Sequence, residues 1–261
     1  MIDIHSHILP GIDDGVKTED DAVEFARMAE ADGITTIVAT PHCKEGFYFN
    51  DRAKVVKEVE KLRTRLMAEG IGLKLEPGAE VHICPDLVER VADGRAPTLL
   101  DNGRTLLLEL SLSQYPVELE NLIFELKLAG LEVVLAHPER IRYFQDDLSR
   151  YEAVVHQGAI GQITTGSVLG VFGSEIAEIS EEMMVKGLVH VMATDAHNTR
   201  GRPPLLREAL ELAIEQVGEA RAMAMVTDVP RALIEGRSPE LPDVESPRSG
   251  GGFLSRLFGR R

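Results

Sequence analysis

MIDIHSHILPGIDDG, residues 1–15, opens on a short apolar run with two histidines one residue apart and closes on Pro-Gly and two aspartates. Side chains two apart on a strand point the same way, so His5 and His7 share a face. Two imidazoles on one face can hold a metal ion, but a lone His-Ser-His also fits a polar strand edge. Six further runs settle the context: Thr35–His42, Leu73–Ile83, Thr105–Ser111, Glu132–His137, Ala159–Thr165 and Val189–His197. Their length and β-branched content read as buried parallel strands. Helical patterns lie between them. Thr18 and Asp21 form an N-terminal capping signal ahead of a stop at Gly33. Asp51–Gly70 carries Val55, Val59, Leu62 and Leu66 at helical spacing, and Val117–Gly130 carries Leu119, Leu122, Ile123 and Leu126. Repeated βα units predict an α/β fold, and seven strands predict a closed or nearly closed barrel. Helical pattern resumes at Leu205–Val217 and continues to about Gly236.

The strand ends carry the chemistry. Beside His5 and His7 stand His42, Glu80, Glu109, His137, and the alternate pair Asp195 and His197, with Asp13 and Asp14 in the first loop. In α/β barrels the C-terminal ends of the strands build the active site. Glu80 and Glu109 lie inside apolar runs, where an unpaired carboxylate is costly and coordination removes the cost. Imidazole and carboxylate without thiolate suit Mn²⁺, Fe or Zn²⁺. Nine ligands exceed the needs of one ion, so a cluster of two or three divalent ions is expected, Mn²⁺ foremost. Spacing alone does not choose between Asp13 and Asp14.

Composition narrows the partners. The 261 residues carry a formal charge of −15, no Trp and only 5% aromatics, which excludes a phosphate-backbone or base-stacking nucleic-acid binder. An anionic substrate must be held by local cations. Cys43 and Cys84 form no CxxC pair, and the C-x₅-R loop of a cysteine phosphatase is missing, since no Arg stands at position 49. No basic region precedes an apolar run at the start and no run is long enough to span a membrane, so a cytoplasmic protein is expected.

The segments MIDIHSHILPGIDDG, TTIVATPH, PGAEVHI, LLLELS, AHPER, GQITTGSVLG and ATDAHNTRGRPP together resemble the PHP (polymerase and histidinol phosphatase) superfamily. More closely, they resemble its bacterial metal-dependent protein-tyrosine phosphatases of capsule and exopolysaccharide biosynthesis, the CpsB/CapC type. The resemblance covers roughly residues 1–236 and implies a distorted seven-stranded PHP barrel. It implies a first ion on His5, His7, Glu80 and Asp195, a second on Glu80, Glu109 and His137, and a third on Asp14, His42 and His197, with Asp13 as helper. Arg140 and Arg202 match the phosphate-binding arginines, Arg200 being a nearby alternative, and His42 is a candidate general acid. The implied reaction is attack by a metal-bridging hydroxide, without a covalent phosphoenzyme. The implied substrate is the phosphorylated tyrosine-rich tail of a polysaccharide-assembly tyrosine kinase. A small phosphoester, or binding of a phosphorylated tail without turnover, is the rival reading.

The domain is expected over 1–238, with a Pro/Ser/Gly-rich tail over 239–261 ending in the apolar, basic GFLSRLFGRR. That end reads as a simple terminus, or else as a peripheral membrane or partner contact; an oligomer is open. Lys44–Asn50 and Leu112–Pro116 are expected to rim the pocket, where Phe47, Tyr48, Phe49 and Tyr115 contact an aromatic phosphoester or pack locally. His82 reads as an adjacent polar residue, His156 and His190 as structural. Thr227-Asp-Val-Pro230 departs from the family's Asn-Pro dipeptide and leaves its turn open.

Overall fold

Every one of the seven runs forms parallel β-structure in the computed structural model, which describes residues 1–241. The chain runs β1 (Ile2–Ser6), α1 (Glu19–Asp32), β2 (Thr36–Ala39), β3 (His42–Cys43), α2 (Arg52–Ala68), β4 (Lys74–Pro77), β5 (Glu80–His82) and α3 (Leu87–Ala92). It continues through β6 (Thr105–Glu109), α4 (Leu119–Leu128), β7 (Glu132–Ala136), α5 (Arg142–Asp146), α6 (Leu148–His156), β8 (Ile160–Thr164), α7 (Thr165–Val168) and α8 (Ser174–Val185). It closes with β9 (Val191–Ala193), α9 (Arg207–Val217), α10 (Glu219–Val226) and α11 (Asp228–Ile234).

The seven expected strands are distributed over two parallel sheets. Two runs break, giving nine strands in a three-stranded sheet, β1-β2-β4, and a six-stranded sheet, β3-β5-β6-β7-β8-β9. Pro41 has no N–H to offer a ladder, and Thr40 turns instead to β1, its N–H donating to the Ser6 carbonyl at 2.8 Å. The other break falls at Gly78, where a Cβ would stand 2.7 Å from Val38 Cγ1. The register survives both interruptions: Ala39 faces Pro77 before them and His42 faces Glu80 after them, the same offset. A parallel bridge from Ser6 to Ala196 joins β1 to the stretch after β9.

The helices form where local chemistry starts and stops them. Thr18 caps α1 in a reciprocal capping box with Asp21, and Gly33 ends it at φ 95°. Asp51 caps α2, whose Val55, Val59, Leu62 and Leu66 are all buried. Each such side chain contributes about 1.5–3 kcal/mol of burial. A second apolar cluster, including Ile4, Val38, Leu107, Val134, Ile160 and Val191, packs with Val229 and Leu233 of α11. Thr105, at the start of β6, donates its hydroxyl to the Leu233 carbonyl at 2.7 Å. So α11 meets the strands at the end opposite Glu109, and Asp228 begins it directly after Thr227. No helix among the described residues is long and apolar enough to cross a membrane. The expected tail, save its first residues, lies outside the described residues.

Candidate metal centre

The sequence-expected ligands meet at one end of the strands. His5 Nε2 and His7 Nε2 lie 3.3 Å apart. Glu80 Oε2 is 3.3 Å from the first and 3.4 Å from the second, and Asp195 Oδ1 is 3.4 Å and 3.3 Å from them. His5, His7 and Glu80 form a trio that could hold one ion, and Asp195 Oδ1 stands against both imidazoles. All four residues are buried. Glu80 turns its other oxygen to His137 Nε2 at 3.0 Å, so one carboxylate serves two places.

A second group forms around His42. Its Nδ1 is 2.8 Å from Glu80 Oε2 and 3.5 Å from Glu109 Oε2. Its Nε2 is 3.5 Å from Asp14 Oδ1, as is His197 Nε2. His7, Asp14, His42 and His197 together could hold an ion, and so could His42, Glu80 and Glu109. The structure therefore brings all nine residues together but sets His42 between two groups, where the sequence reading gave it to one.

Donor chemistry fits divalent ions. Glu109 Oε2 and His137 Nδ1 are buried without a hydrogen-bond partner. Such orphans cost about 1–3 kcal/mol each unless something unseen satisfies them. Burial alone lowers the basicity of His5 and His7, but Glu80 and Asp195, with Asp13 for His7, outweigh it and raise both. His42 rises to about 10, the pull of Glu109 and Glu80 exceeding the burial cost. Burial would raise Glu80 and Asp195, yet the surrounding histidines hold both well below the carboxylate range. His197 goes down, because burial outweighs Asp14. Imidazoles and carboxylates thus favour each other's charged forms in the cluster.

Neighbouring groups aim the ligands. Asp13 Oδ2 lies 2.8 Å from His7 Nδ1, while Gln162 Oε1 lies 2.7 Å from His5 Nδ1, leaving each Nε2 for the cluster. This separates the two aspartates: Asp13 stands behind His7, and Asp14 faces His42 and His197. Gly15 is pressed so closely on His7 that a Cβ there would sit 2.2 Å from the His7 carbonyl oxygen. His197 Nδ1 meets the Asp195 carbonyl at 2.9 Å. His137 and Asp195 adopt left-handed backbone, φ 37° and 50°, which for such residues stores strain. Sequence reasoning missed Gln162, although a glutamine inside the apolar run of β8 is the same kind of signal as Glu80.

Arg140 and Arg202 converge on Asp195. Arg140 Nη1 donates to Asp195 Oδ2 at 2.8 Å, and Arg202 Nη2 donates to the same oxygen. Asp195 thus gives one oxygen to the histidines and the other to the guanidiniums. Both guanidiniums lie over the Phe172 ring, at 4.7 and 6.0 Å, a contact the sequence did not suggest. Arg200 instead lines a cleft beside Asp14 and His197. Tyr48 stacks on His42, with centroids 5.5 Å apart. Tyr115 packs edge-on against Tyr143 and bonds Glu120, so for it the local-packing alternative holds. His82 bonds the Ile83 carbonyl, and His190 accepts from the Gly161 N–H at 3.0 Å, with its basicity lowered to about 4 by burial and Arg221. Cys43 is half-buried and its thiol is pushed up by burial, the opposite of an activated nucleophile.

Known proteins resemble this chain in sequence and in fold. The tyrosine-protein phosphatase YwqE of Bacillus subtilis is 38% identical over 218 residues, covering 84% of this chain and 85% of that protein. The tyrosine-protein phosphatase CpsB of Streptococcus pneumoniae is 28% identical over 239 residues, covering 90% of this chain and 98% of its own. A chain from the crystal structures of YwqE and CpsB, described as unique metal-dependent tyrosine phosphatases, superposes with a TM-score of 0.89 at 35% identity. It covers 96% of this chain and all of that one. A phosphotriesterase homology protein from Escherichia coli shares the fold alone, with a TM-score of 0.59 at 14% identity over 89% of this chain and 98% of that one. The model of the capsular polysaccharide synthesis family CpsB/CapC matches residues 1–235, and the chain belongs to that family.

Proposed function

We propose that residues 1–238 form a metal-dependent protein-tyrosine phosphatase acting in capsule or exopolysaccharide synthesis. One observation carries the reading: Asp195, beside the His5, His7 and Glu80 trio, gives one oxygen to the two imidazoles and the other to two convergent arginines. We assign His5, His7, Glu80 and Asp195 to a first ion, Glu80, Glu109 and His137 to a second, and Asp14, His42 and His197 to a third, with Mn²⁺ as the favoured metal. Bound divalent ions supply a hydroxide nucleophile near neutral pH and polarise the phosphoryl group.

The chain's own residues do the rest. Arg140 and Arg202 offer planar forks to phosphate oxygens and keep their charge at any working pH. Asp195 holds both forks in place before substrate arrives. His42, with carboxylates facing both ring nitrogens, acts as a ligand rather than as a free proton donor. A phenolate leaving group, with a pKa of about 10, asks less of a general acid than an alkoxide does. No nucleophilic side chain with a lowered pKa is needed, consistent with direct hydrolysis. We read the two sheets, joined in register across β2–β3 and β4–β5 and bridged at Ser6, as one distorted seven-stranded barrel. The substrate is the phosphorylated tyrosine-rich tail of a bacterial polysaccharide-assembly tyrosine kinase, met in the cytoplasm.

Phosphate release from phosphotyrosine peptides, histidinol phosphate and nucleotides, by protein reconstituted with Mn²⁺, tests this. Phosphotyrosine is expected to be the preferred substrate, with at least two metal ions bound per chain. His5→Ala and Asp195→Ala are expected to abolish turnover. Full activity in metal-free protein, or preference for a small phosphoester, overturns the reading.

A further inference from the structure

Two clefts open beside the ligand cluster, and their walls differ in chemistry. One, on the Asp14 and His197 side, is lined by Lys17, Asp21, Glu24 and Arg200 and encloses about 380 Å³. The other, on the His42 side, encloses about 450 Å³ between the Cys43–Asp51 and Val81–Ala96 segments. Its walls carry the rings of Tyr48 and Phe49 with Val81 and Ile83, and also the charged Lys44, Glu45, Asp51, Arg90 and Arg95. Tyr48 lies nearly parallel to His42, 16° between the planes, so the cleft's aromatic wall begins at a ligand of the cluster. Phe47 and Phe49 on either side of Tyr48 stand 74% and 73% exposed, unusual for rings in a loop with no partner.

We infer that the His42-side cleft is the leaving-group subsite, and that Tyr48 and Phe49 select an aryl phosphoester by contact with its ring. This rests on the phosphatase reading above and adds where the organic part of the substrate goes. A phosphoryl group held by the cluster and by Arg140 and Arg202 must send its ester oxygen out through one opening. A phenyl ring entering the His42 side can settle against Tyr48, Phe49, Val81 and Ile83 and gains there by burial and ring–ring contact. The Asp14 side has charged groups too, Lys17, Asp21, Glu24 and Arg200, but no Tyr or Phe ring whose contact would offset their desolvation. A short alkyl ester fills neither cleft and gains from neither. Selection therefore acts on the ring, not on the phosphate.

Binding of phenylphosphonate and methylphosphonate to the metal-loaded protein, followed by calorimetry, reads this without turnover. The wild type is expected to prefer the phenyl compound, and Tyr48→Ala and Phe49→Ala each to lower that preference roughly 2- to 10-fold. Methylphosphonate affinity should stay level in both. Phe49 is exposed, so its replacement leaves the fold intact, and Tyr48→Phe should retain the preference. Glu24→Ala, in the other cleft, is expected to change neither ligand. Equal wild-type affinity for the two phosphonates, or loss of preference in Glu24→Ala but not in Tyr48→Ala and Phe49→Ala, overturns the subsite. If the preference holds but phosphotyrosine peptides are not hydrolysed, the phosphatase reading fails and the aryl subsite stands.

Discussion

The Asp3 carboxylate clasps Thr194 with both oxygens, accepting its N–H at 3.1 Å and its hydroxyl at 2.5 Å. Asp3 stands two residues before His5, and Thr194 one residue before Asp195, so this pair holds the first and last ligand-bearing segments against each other. Asp3 is fully buried and its carboxyl is pushed up to about 6 by desolvation, against the opposing hydrogen bonds from Thr194 and His5. Thr194→Val should loosen both segments and weaken metal binding roughly 10- to 100-fold, in line with other groups that orient ligands from behind. Competition with a chromophoric chelator measures it, and an unchanged affinity would show that the clasp serves folding alone.

Asp13 and Asp14 should behave differently. Asp13→Asn keeps an oxygen near His7 but loses the charge that orients the ring, so metal affinity should fall roughly 10- to 100-fold while metal stoichiometry at saturation is kept. Asp14→Asn removes a direct ligand and should lower the stoichiometry. Elemental analysis after saturation separates the two outcomes.

Metal uptake should release protons. The raised basicity of His5, His7 and His42 means that the metal-free cluster holds protons at neutral pH. Ions displace them, so roughly one to three protons per chain should appear on loading. Since the bound protons compete with the metal, affinity should rise with pH toward the His42 value of about 10. Titration in weakly buffered solution with a pH electrode gives the number directly. Uptake without proton release would show the histidines to be neutral beforehand.

Arg140→Ala and Arg202→Ala should each lower kcat/KM for a phosphotyrosine peptide roughly 10- to 150-fold, the worth of a charge-assisted contact of about 1.5–3 kcal/mol. Arg→Lys should restore only part, because an ammonium lacks the fork. Phe172→Leu removes the face beneath both guanidiniums and should cost roughly 2- to 30-fold, the range of about 0.5–2 kcal/mol for a cation over a ring, with metal content unchanged. Steady-state kinetics beside metal analysis on the same preparations checks all of these. If the Phe172→Leu variant matched wild type, the ring would be mere packing.

Much of the site was legible because coordination chemistry overrides ordinary burial preferences. Glu80 and Glu109 inside apolar runs, and histidines at strand ends, are anomalies visible in a bare sequence. Helix limits were legible where a cap carried them, as at Thr18 and Gly33. The breaks at Thr40–Pro41 and Gly78 were not, because they depend on which strands become neighbours: Gly78 matters only once Val38 lies against it. Long-range partners such as Gln162 for His5 and Phe172 for the arginines stayed hidden for the same reason. His42 shows the limit most clearly, since its position followed from the sequence while its place between two carboxylate groups followed from the orientation of one ring.

The seam between β1 and the stretch after β9 has a mechanical consequence. Beside the Ser6–Ala196 bridge, the His7 N–H to the Ala196 carbonyl, the Asp195 N–H and Thr194 hydroxyl to the His5 carbonyl and the Asp3 clasp stitch the seam at this end. On the proposed assignment, an ion held by His5 and His7 on one side and Asp195 on the other would be a removable staple across it, closing a loop of roughly 190 residues. Cross-links over long loops stabilise folded chains by several kcal/mol, on the order of 4–5, and a ligand that binds only the folded chain adds its own mass-action share. Starving the protein of metal therefore unfastens it as well as silencing it, and resistance to heat and protease should rise and fall with the metal supply.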